Sequence, residues 1–456
     1  MRGDGVSPYR DLIVGTETPV RLANGRMTTA INFDNAATTP PLQSVLAAIC
    51  RYAPWYSSVH RGKGHKSVFS SDLYEKSREA VRRFVHADRD HVVMYTKSTT
   101  EAINLAAHIL REDEVHPVIL STEMEHLAND LPWRRQYRVQ YVSTDASGRL
   151  DMADLQECLN RLAGRVKLVT VTGASNVTGY RNDIHGIARL AHCHGAKILV
   201  DGAQLVPHAP FDMSPADPAD RIDYLAFSAH KMYAPFGAGI LIAPERDIKM
   251  AEPLLHGGGA VDLASHQFVR WLKPPELFEA GTPNMMGVVA LLAAMDTLDD
   301  IGVGEVHEYE NRLIRYAISG MQSIPGVVLY SCDDNICGRV SLISFTVEGI
   351  SHHTVAEILT HEGGIAVRSG LFCAHPYVEK LLGFTERQMT YYQQHEGVTV
   401  PGLVRISFGL YNNFREIDIF LALLGKIARH VTQYRAMYAE RETRGSVRSL
   451  FDSGIC

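Results

Sequence analysis

The chain lacks any apolar run long enough to form a membrane-spanning helix. It also lacks a basic excess. Its 45 Lys and Arg stand against 51 Asp and Glu, a formal charge of −6, which argues against a general grip on nucleic acid. The opening MRGDGVSPYRDL has no basic-then-apolar secretory layout, so a cytoplasmic protein is expected. Cysteine is scarce and odd in number: Cys50, Cys158, Cys193, Cys332, Cys337, Cys373 and Cys456 are scattered, which fits reduced thiols better than a disulfide framework. Cys332 and Cys337 are close, and His192 and His194 flank Cys193, but neither group has a four-ligand spacing, and no metal is expected. Repeats and low-complexity tracts are absent too. What remains is ordinary globular composition, 46% hydrophobic and 21% charged, in 456 residues that can bury a large core in two or three units.

From about Ile31 to Ala243 short β-branched runs alternate with helical stretches, which predicts βαβ units and a mostly parallel sheet. HVVMYT from His91, PVILST, VKLVTVTG, KILVD, YLAFSA and AGILIA read as strands, several apolar throughout, as expected when both faces are covered. Thr99–Ile109 and Ile184–His194 read as helices, the second closed by Gly195. Past about Gly287 the pattern changes. Helices over Val288–Ile301, Val306–Ser323 and Thr354–Glu362, strands in VSLISFTV and VRISFG, and an amphipathic helix from Glu416 predict a smaller α+β unit. The expected division is a large α/β unit at 31–287 and a small one formed by 1–30 with 288–456. Arg441–Cys456 is polar and expected to be loosely ordered.

Ligands of open α/β sheets collect beyond the carboxyl ends of the strands, and those ends carry a coherent set. KILVD ends in Asp201, followed by Gln204; a carboxylate there could hold a pyridinium nitrogen protonated. YLAFSA leads to Ser228, His230 and Lys231, and a lysine in a cleft can form a Schiff base. HVVMYT leads to Ser98, Thr99, Thr100 and Glu101, hydroxyls at a helix N-terminus that suit a phosphate. Taken singly, Asp201 reads as a cap, Ser98–Glu101 as a capping box and Lys231 as a solvated lysine. Acid, lysine and phosphate cradle together are what pyridoxal 5′-phosphate requires.

The sequence resembles class V pyridoxal-phosphate enzymes of the fold-type I aminotransferase superfamily, and is most similar to SUF-type cysteine desulfurases and selenocysteine lyases. The likeness is carried by FDNAATTP (Phe33–Pro40), VHRGKGH (Val59–His65), STTEAINL, TEMEHLAN (Thr122–Asn129), SNVTG (Ser175–Gly179), VDGAQ, FSAHKMY, FEAGTPN (Phe278–Asn284), VRSGLFCAHP (Val367–Pro376) and VRISFGLYN (Val404–Asn412). It implies that Lys231 holds the cofactor and acts as base, Asp201 faces the ring nitrogen, and Gln204 faces the phenolic oxygen. By the same likeness His126 stacks on the ring, Asn176 lies near ring and substrate, and Thr99, Thr100, Ser228 and His230 bind phosphate. Arg405 would clamp the substrate carboxylate, with Arg368 also on the substrate. Thr282, His60 and Arg61 would come from the other subunit of a homodimer.

Cys373 separates desulfuration from the other chemistries of the fold. A thiol beside the cofactor can attack a substrate sulfur, with Arg368 and His375 as flanking cations. The implied reaction turns L-cysteine into L-alanine, leaving a persulfide on Cys373 for an acceptor protein. Alternatives left open are a selenocysteine lyase, another C–S lyase, a class V aminotransferase or epimerase, and a non-catalytic scaffold. Four departures from the SUF-type pattern stand out: Leu127, Phe372, Ala234 and a long stretch at 377–400 that could be a lid or a docking segment. Trp55, Trp133 and Trp271 are expected to pack.

Overall fold

The computed structural model describes residues 7–111, 117–249, 251–330, 338–395 and 397–442. Cys332, Cys337 and nearly all of the Arg441–Cys456 tail lie outside them. Seven strands form the main sheet: β1 His91–Thr96, β2 Val118–Thr122, β3 Arg138–Val142, β4 Val166–Thr172, β5 Lys197–Asp201, β6 Tyr224–Ser228 and β7 Gly239–Pro244. Their spatial order is β1-β7-β6-β5-β4-β2-β3. The pairs from β3 through β6 are parallel, and only β7 runs against its neighbours β6 and β1. β2, β6 and β7 are buried throughout and β4, β5 nearly so, because helices cover both faces.

One face packs the helices Gln43–Tyr52, His65–Phe84, Ile184–Cys193 and Met285–Ile301 around Val45, Val81, Val200, Leu225, Leu291 and Leu298. The other face packs Thr99–Ile109 around Ile103, Trp133 and Tyr224. A second sheet has the strands β8 Val327–Tyr330, β9 Leu342–Val347, β10 Arg368–Gly370 and β11 Leu403–Ser407 in the antiparallel order β8-β9-β11-β10. Its core, with Phe33, Leu313, Phe345, Phe408 and Phe420, is closed by the helices Val303–Gln322, His352–Gly363 and Phe414–Arg429. The last of these begins with a full capping box between Asn413 and Glu416. Among the described residues no helix is long and apolar enough to cross a membrane.

Two expectations need correction. Ser98 accepts from Glu101 N, but the Glu101 carboxylate reaches past it to Lys97 N at 2.6 Å, so the box is only half formed. Trp133 is fully buried, but Trp55 is 48% exposed, its ring tilted 44° against that of the exposed Phe69 at 5.1 Å. The long 377–400 stretch carries helices His375–Leu381 and Glu386–Gln394. Tyr377 anchors the first to Gly148 O and Thr178, while Tyr391 on the second remains exposed and stacks on His395.

Candidate active site

The carboxyl ends of β1, β4, β5 and β6 open on a cavity of about 530 Å³. Ser98, Thr99 and Thr100 follow β1, Thr172 ends β4, Asp201 ends β5, and Ser228 ends β6. Lys231, Gln204, His230, His126 and Asn176 complete this side. The second sheet contributes Arg368 and Arg405, and the loop after β10 contributes Cys373. Twelve residues expected at the site are thus brought together from seven separate segments of the chain. His60, Arg61 and Thr282 are not among the cavity's lining residues. His60 and Arg61 line a different hollow with Gly281 and Pro283, and Arg61 donates to Val261 O at 2.9 Å.

One end of the cavity is built from the start of Thr99–Ile109. Ser228 Oγ accepts from Thr99 N at 2.7 Å and meets Thr99 Oγ1 at 2.6 Å, locking β6 to that helix. Gly239 on β7 passes so close that a Cβ there would fall 2.5 Å from the Ser98 backbone. His230 Nδ1 lies 3.2 Å from Thr38 Oγ1, and burial with the nearby Lys231 charge pulls its imidazole down to about 4.

Lys231 follows β6 on a short turn. Burial lowers its pKa, opposed by the Asp201 carboxylate and reinforced by Arg405. Burial raises the pKa of Asp201, against the hydrogen bond from Ala203 N at 3.0 Å and the Lys231 charge. His126 is held to about 4 by burial and then by Lys231 and Arg405. Its Nδ1 accepts from Ala128 N at 3.0 Å, so the neutral ring carries its proton on Nε2. Gln204 donates to Ala36 O at 2.7 Å, while its buried Oε1 has no partner.

The cysteine loop is strained and tied down. Phe372 and Cys373 both have positive φ, 49° and 53°. Asn176 Nδ2 donates to Phe372 O at 2.8 Å, and Leu127 N donates to Cys373 O at 2.7 Å. Arg405 stacks over the Phe372 ring at 5.0 Å and donates to Asn176 O at 2.8 Å. Burial lowers the Arg405 pKa to about 10, and its Nε has no partner. Of the two cations flanking Cys373 in sequence, His375 lines the same cavity and Arg368 turns to Asp34 at 3.2 Å; the Lys231 and Arg405 charges also interact with Cys373. A second cavity, about 880 Å³, shares Thr100, His126, Ala128 and Cys373 with the first, so Cys373 lies on the partition between them.

The sequence model of the family described as aminotransferase class-V matches residues 31–420. The chain belongs to the class V aminotransferase family. Its relatives include a probable cysteine desulfurase of Halalkalibacterium halodurans, 33% identical over 85% of this chain and 90% of that protein. Another, from Synechocystis sp., is 34% identical over 86% and 90%. The apo structure of cysteine desulfurase from Thermococcus onnurineus superposes with a TM-score of 0.77 at 31% identity, over 88% of this chain and 95% of that one. The Escherichia coli cysteine desulfurase CsdA (S-sulfonic acid) gives 0.75 at 27% identity, over 92% and 97%.

Class V membership implies pyridoxal phosphate, and the chain's own groups fit it. The cavity pairs a buried carboxylate with a lysine of lowered pKa, has a helix N-terminus at one end, and leaves Gln204 Oε1 and Arg405 Nε without partners. Two polar residues in this region had no role assigned from sequence. Asp34 belongs to FDNAATTP and Glu125 to TEMEHLAN. Position in a matching motif was the available signal, and only the fold reveals what each carboxylate touches.

Proposed function

We propose that this class V enzyme is a pyridoxal-phosphate-dependent cysteine desulfurase that takes sulfur from L-cysteine as a persulfide on Cys373 and leaves L-alanine. The observation that carries the reading is a single cavity lined by Cys373, Lys231, Asp201 and Arg405. The desulfurase names of the relatives support it. Bound pyridoxal phosphate would supply an electron sink for bonds at the amino-acid Cα. Lys231 and Asp201 would hold its aldehyde carbon and ring nitrogen, Gln204 would face its phenolic oxygen, and Thr99, Thr100, Ser228 and His230 would hold the phosphate.

Arg405 receives the substrate carboxylate through its unpartnered edge. The lowered pKa of Lys231 lets its amine take the Cα proton. His126, kept neutral, offers a flat uncharged face without adding a cation beside Lys231. The Cys373 thiolate attacks the substrate sulfur; an S–S bond forms and the Cβ–S bond breaks. The broken bond's electron pair stays on carbon, which gains a proton. Thiol plus cysteine gives persulfide plus alanine, with no outside oxidant.

The family likeness assigns His60, Arg61 and Thr282 to the other subunit's site, and none of them lines this chain's own cavity, which fits a homodimer. The exposed Trp55, Tyr56 and Phe69 would be covered in it. The second cavity offers an acceptor protein a route to Cys373. The two cores support large and small units at 31–287 and at 1–30 with 288–456, although Met285–Ile301 packs against the first core. A cytoplasmic setting suits the unpaired thiols of Cys50, Cys158, Cys193 and Cys373. Incubated with L-cysteine, the loaded enzyme should release alanine and carry a persulfide on the Cys373 peptide. The Cys373→Ser variant should bind cofactor and do neither; native alanine output from it would refute persulfide chemistry.

A further inference from the structure

Asp88, Arg89, Asp90 and His91 form the turn that enters β1, at the opposite end of that strand from the active site. The backbone of this turn is pinned from several sides. Asp88 N donates to Ser214 Oγ at 3.1 Å, Glu245 N donates to Asp90 O at 2.8 Å, and His91 pairs with Pro244 of β7. The His91 side chain is only 8% exposed, yet neither of its ring nitrogens has a hydrogen-bond partner. Buried polar groups are nearly always partnered, so an orphaned imidazole points to a further group that answers it.

Two carboxylates surround the same spot. His91 Nδ1 lies 3.3 Å from Asp90 Oδ1, in a direction that makes no hydrogen bond. One ligand atom each from Asp88, Asp90 and His91 falls within 4.8 Å of the other two. Zinc–nitrogen and zinc–oxygen bonds of about 2.0–2.1 Å at a tetrahedral angle set their ligand atoms about 3.3–3.4 Å apart. The spacing of His91 and Asp90 matches that edge. Asp88 stands further off, because Arg221 Nη1 holds its Oδ2 at 2.8 Å. Both of those side chains are more than a third exposed, and a rotation of the Asp88 carboxylate can present its other oxygen. We infer that Asp88, Asp90 and His91 form a binding site for a divalent transition ion of the zinc type. Imidazole with carboxylates suits zinc, whereas magnesium or calcium would favour oxygens alone, and no cysteine takes part. The ion supplies His91 Nδ1 with the partner it lacks. Asp90, with its side chain 67% exposed, lets water complete the coordination. The role is structural: the ion braces the turn between the helix His65–Phe84 and β1.

The test uses enzyme that carries its cofactor and has been stripped of metal by a chelator. Zinc chloride is titrated in competition with a chromophoric chelator, and zinc X-ray absorption reads the ligand atoms. A single zinc ion per chain is expected, with nitrogen and oxygen at about 2.0–2.1 Å and no sulfur at about 2.3 Å. The sulfur distance separates this site from capture by Cys373 or another thiol. Asp90→Asn and His91→Gln should each weaken zinc at least about tenfold, since losing a ligand costs no less than losing a group that orients one. Asp90 is exposed, so its variant keeps the test open should His91→Gln fail to fold. Zinc should raise the melting temperature of the native enzyme and leave that of Asp90→Asn unchanged. Native zinc affinity in Asp90→Asn overturns the inference, as does a sulfur-coordinated ion or a native enzyme that binds no zinc. None of these readouts depends on which amino acid the active site consumes.

Discussion

Replacing Asn176 with alanine removes one of three contacts that hold the Cys373 loop in a strained shape. Two consecutive non-glycine residues in the left-handed region, Phe372 and Cys373, cost about 1–2 kcal/mol each, or roughly 2–4 together. Against this stand two hydrogen bonds, from Asn176 Nδ2 to Phe372 O and from Leu127 N to Cys373 O, at about 1–2 kcal/mol each, and the Arg405–Phe372 stack at about 0.5–1. The opposing sums nearly match, so the loop is held with little to spare. Losing one contact of about 1–2 kcal/mol should cut the population of the ordered loop by roughly 5–30-fold. Single-turnover alanine formation should fall by about tenfold. The alkylation rate of Cys373 by iodoacetamide, measured without substrate, should change by several-fold, which a role confined to substrate binding would not produce. Adding Phe372→Gly, which accepts a positive φ without penalty, should recover part of the lost rate. Alanine formation within about twofold of native, with unchanged alkylation, would refute this account of the loop.

Acid should weaken the cofactor-free protein through His126. Burial holds its imidazole near about 4 against an ordinary 6.5, so between these values the unfolded chain binds a proton that the folded chain refuses. Stability therefore rises with pH across that window and falls on acidification, by up to about 3 kcal/mol for this group. The urea midpoint should fall less steeply toward acid in His126→Phe; an unaltered slope would remove His126 as the cause. Gly239→Ala should push back the Ser98 backbone, 2.5 Å from the new Cβ, and loosen the phosphate end. Equilibrium dialysis should then find pyridoxal phosphate bound at least about tenfold more weakly, about 1.4 kcal/mol; native affinity would contradict the proposed cradle.

The parallel strands were legible because burial on both faces leaves apolar β-branched runs, as in KILVD and YLAFSA. β3 was not read. It pairs with β2 alone, at the sheet's edge, and Arg138, Val139, Gln140 and Tyr141 remain partly exposed, which dilutes the apolar signal. His65–Phe84 was missed for a related reason: its inward face buries Ser67, Ser70, Ser77 and Arg78 beside Tyr74 and Val81, so hydrophobic periodicity is weak. The reversed direction of β7 was invisible because AGILIA is equally apolar read either way. The site residues were legible as chemistry at strand ends, where a lysine or aspartate has few structural reasons to stand. Their supports were not. Glu125, which precedes His126 in the chain, accepts from Thr122 Oγ1, Asn129 Nδ2 and Thr172 N, tying the end of β2 to the end of β4. Nothing in TEMEHLAN distinguishes that carboxylate from a solvated one. A residue that reacts is marked by its own type and place, whereas a residue that positions another is defined by contacts across the fold. Asp34 is the sharper case, since its partners Arg368 and Arg405 lie more than 300 positions away and become neighbours only when β10 pairs with β11.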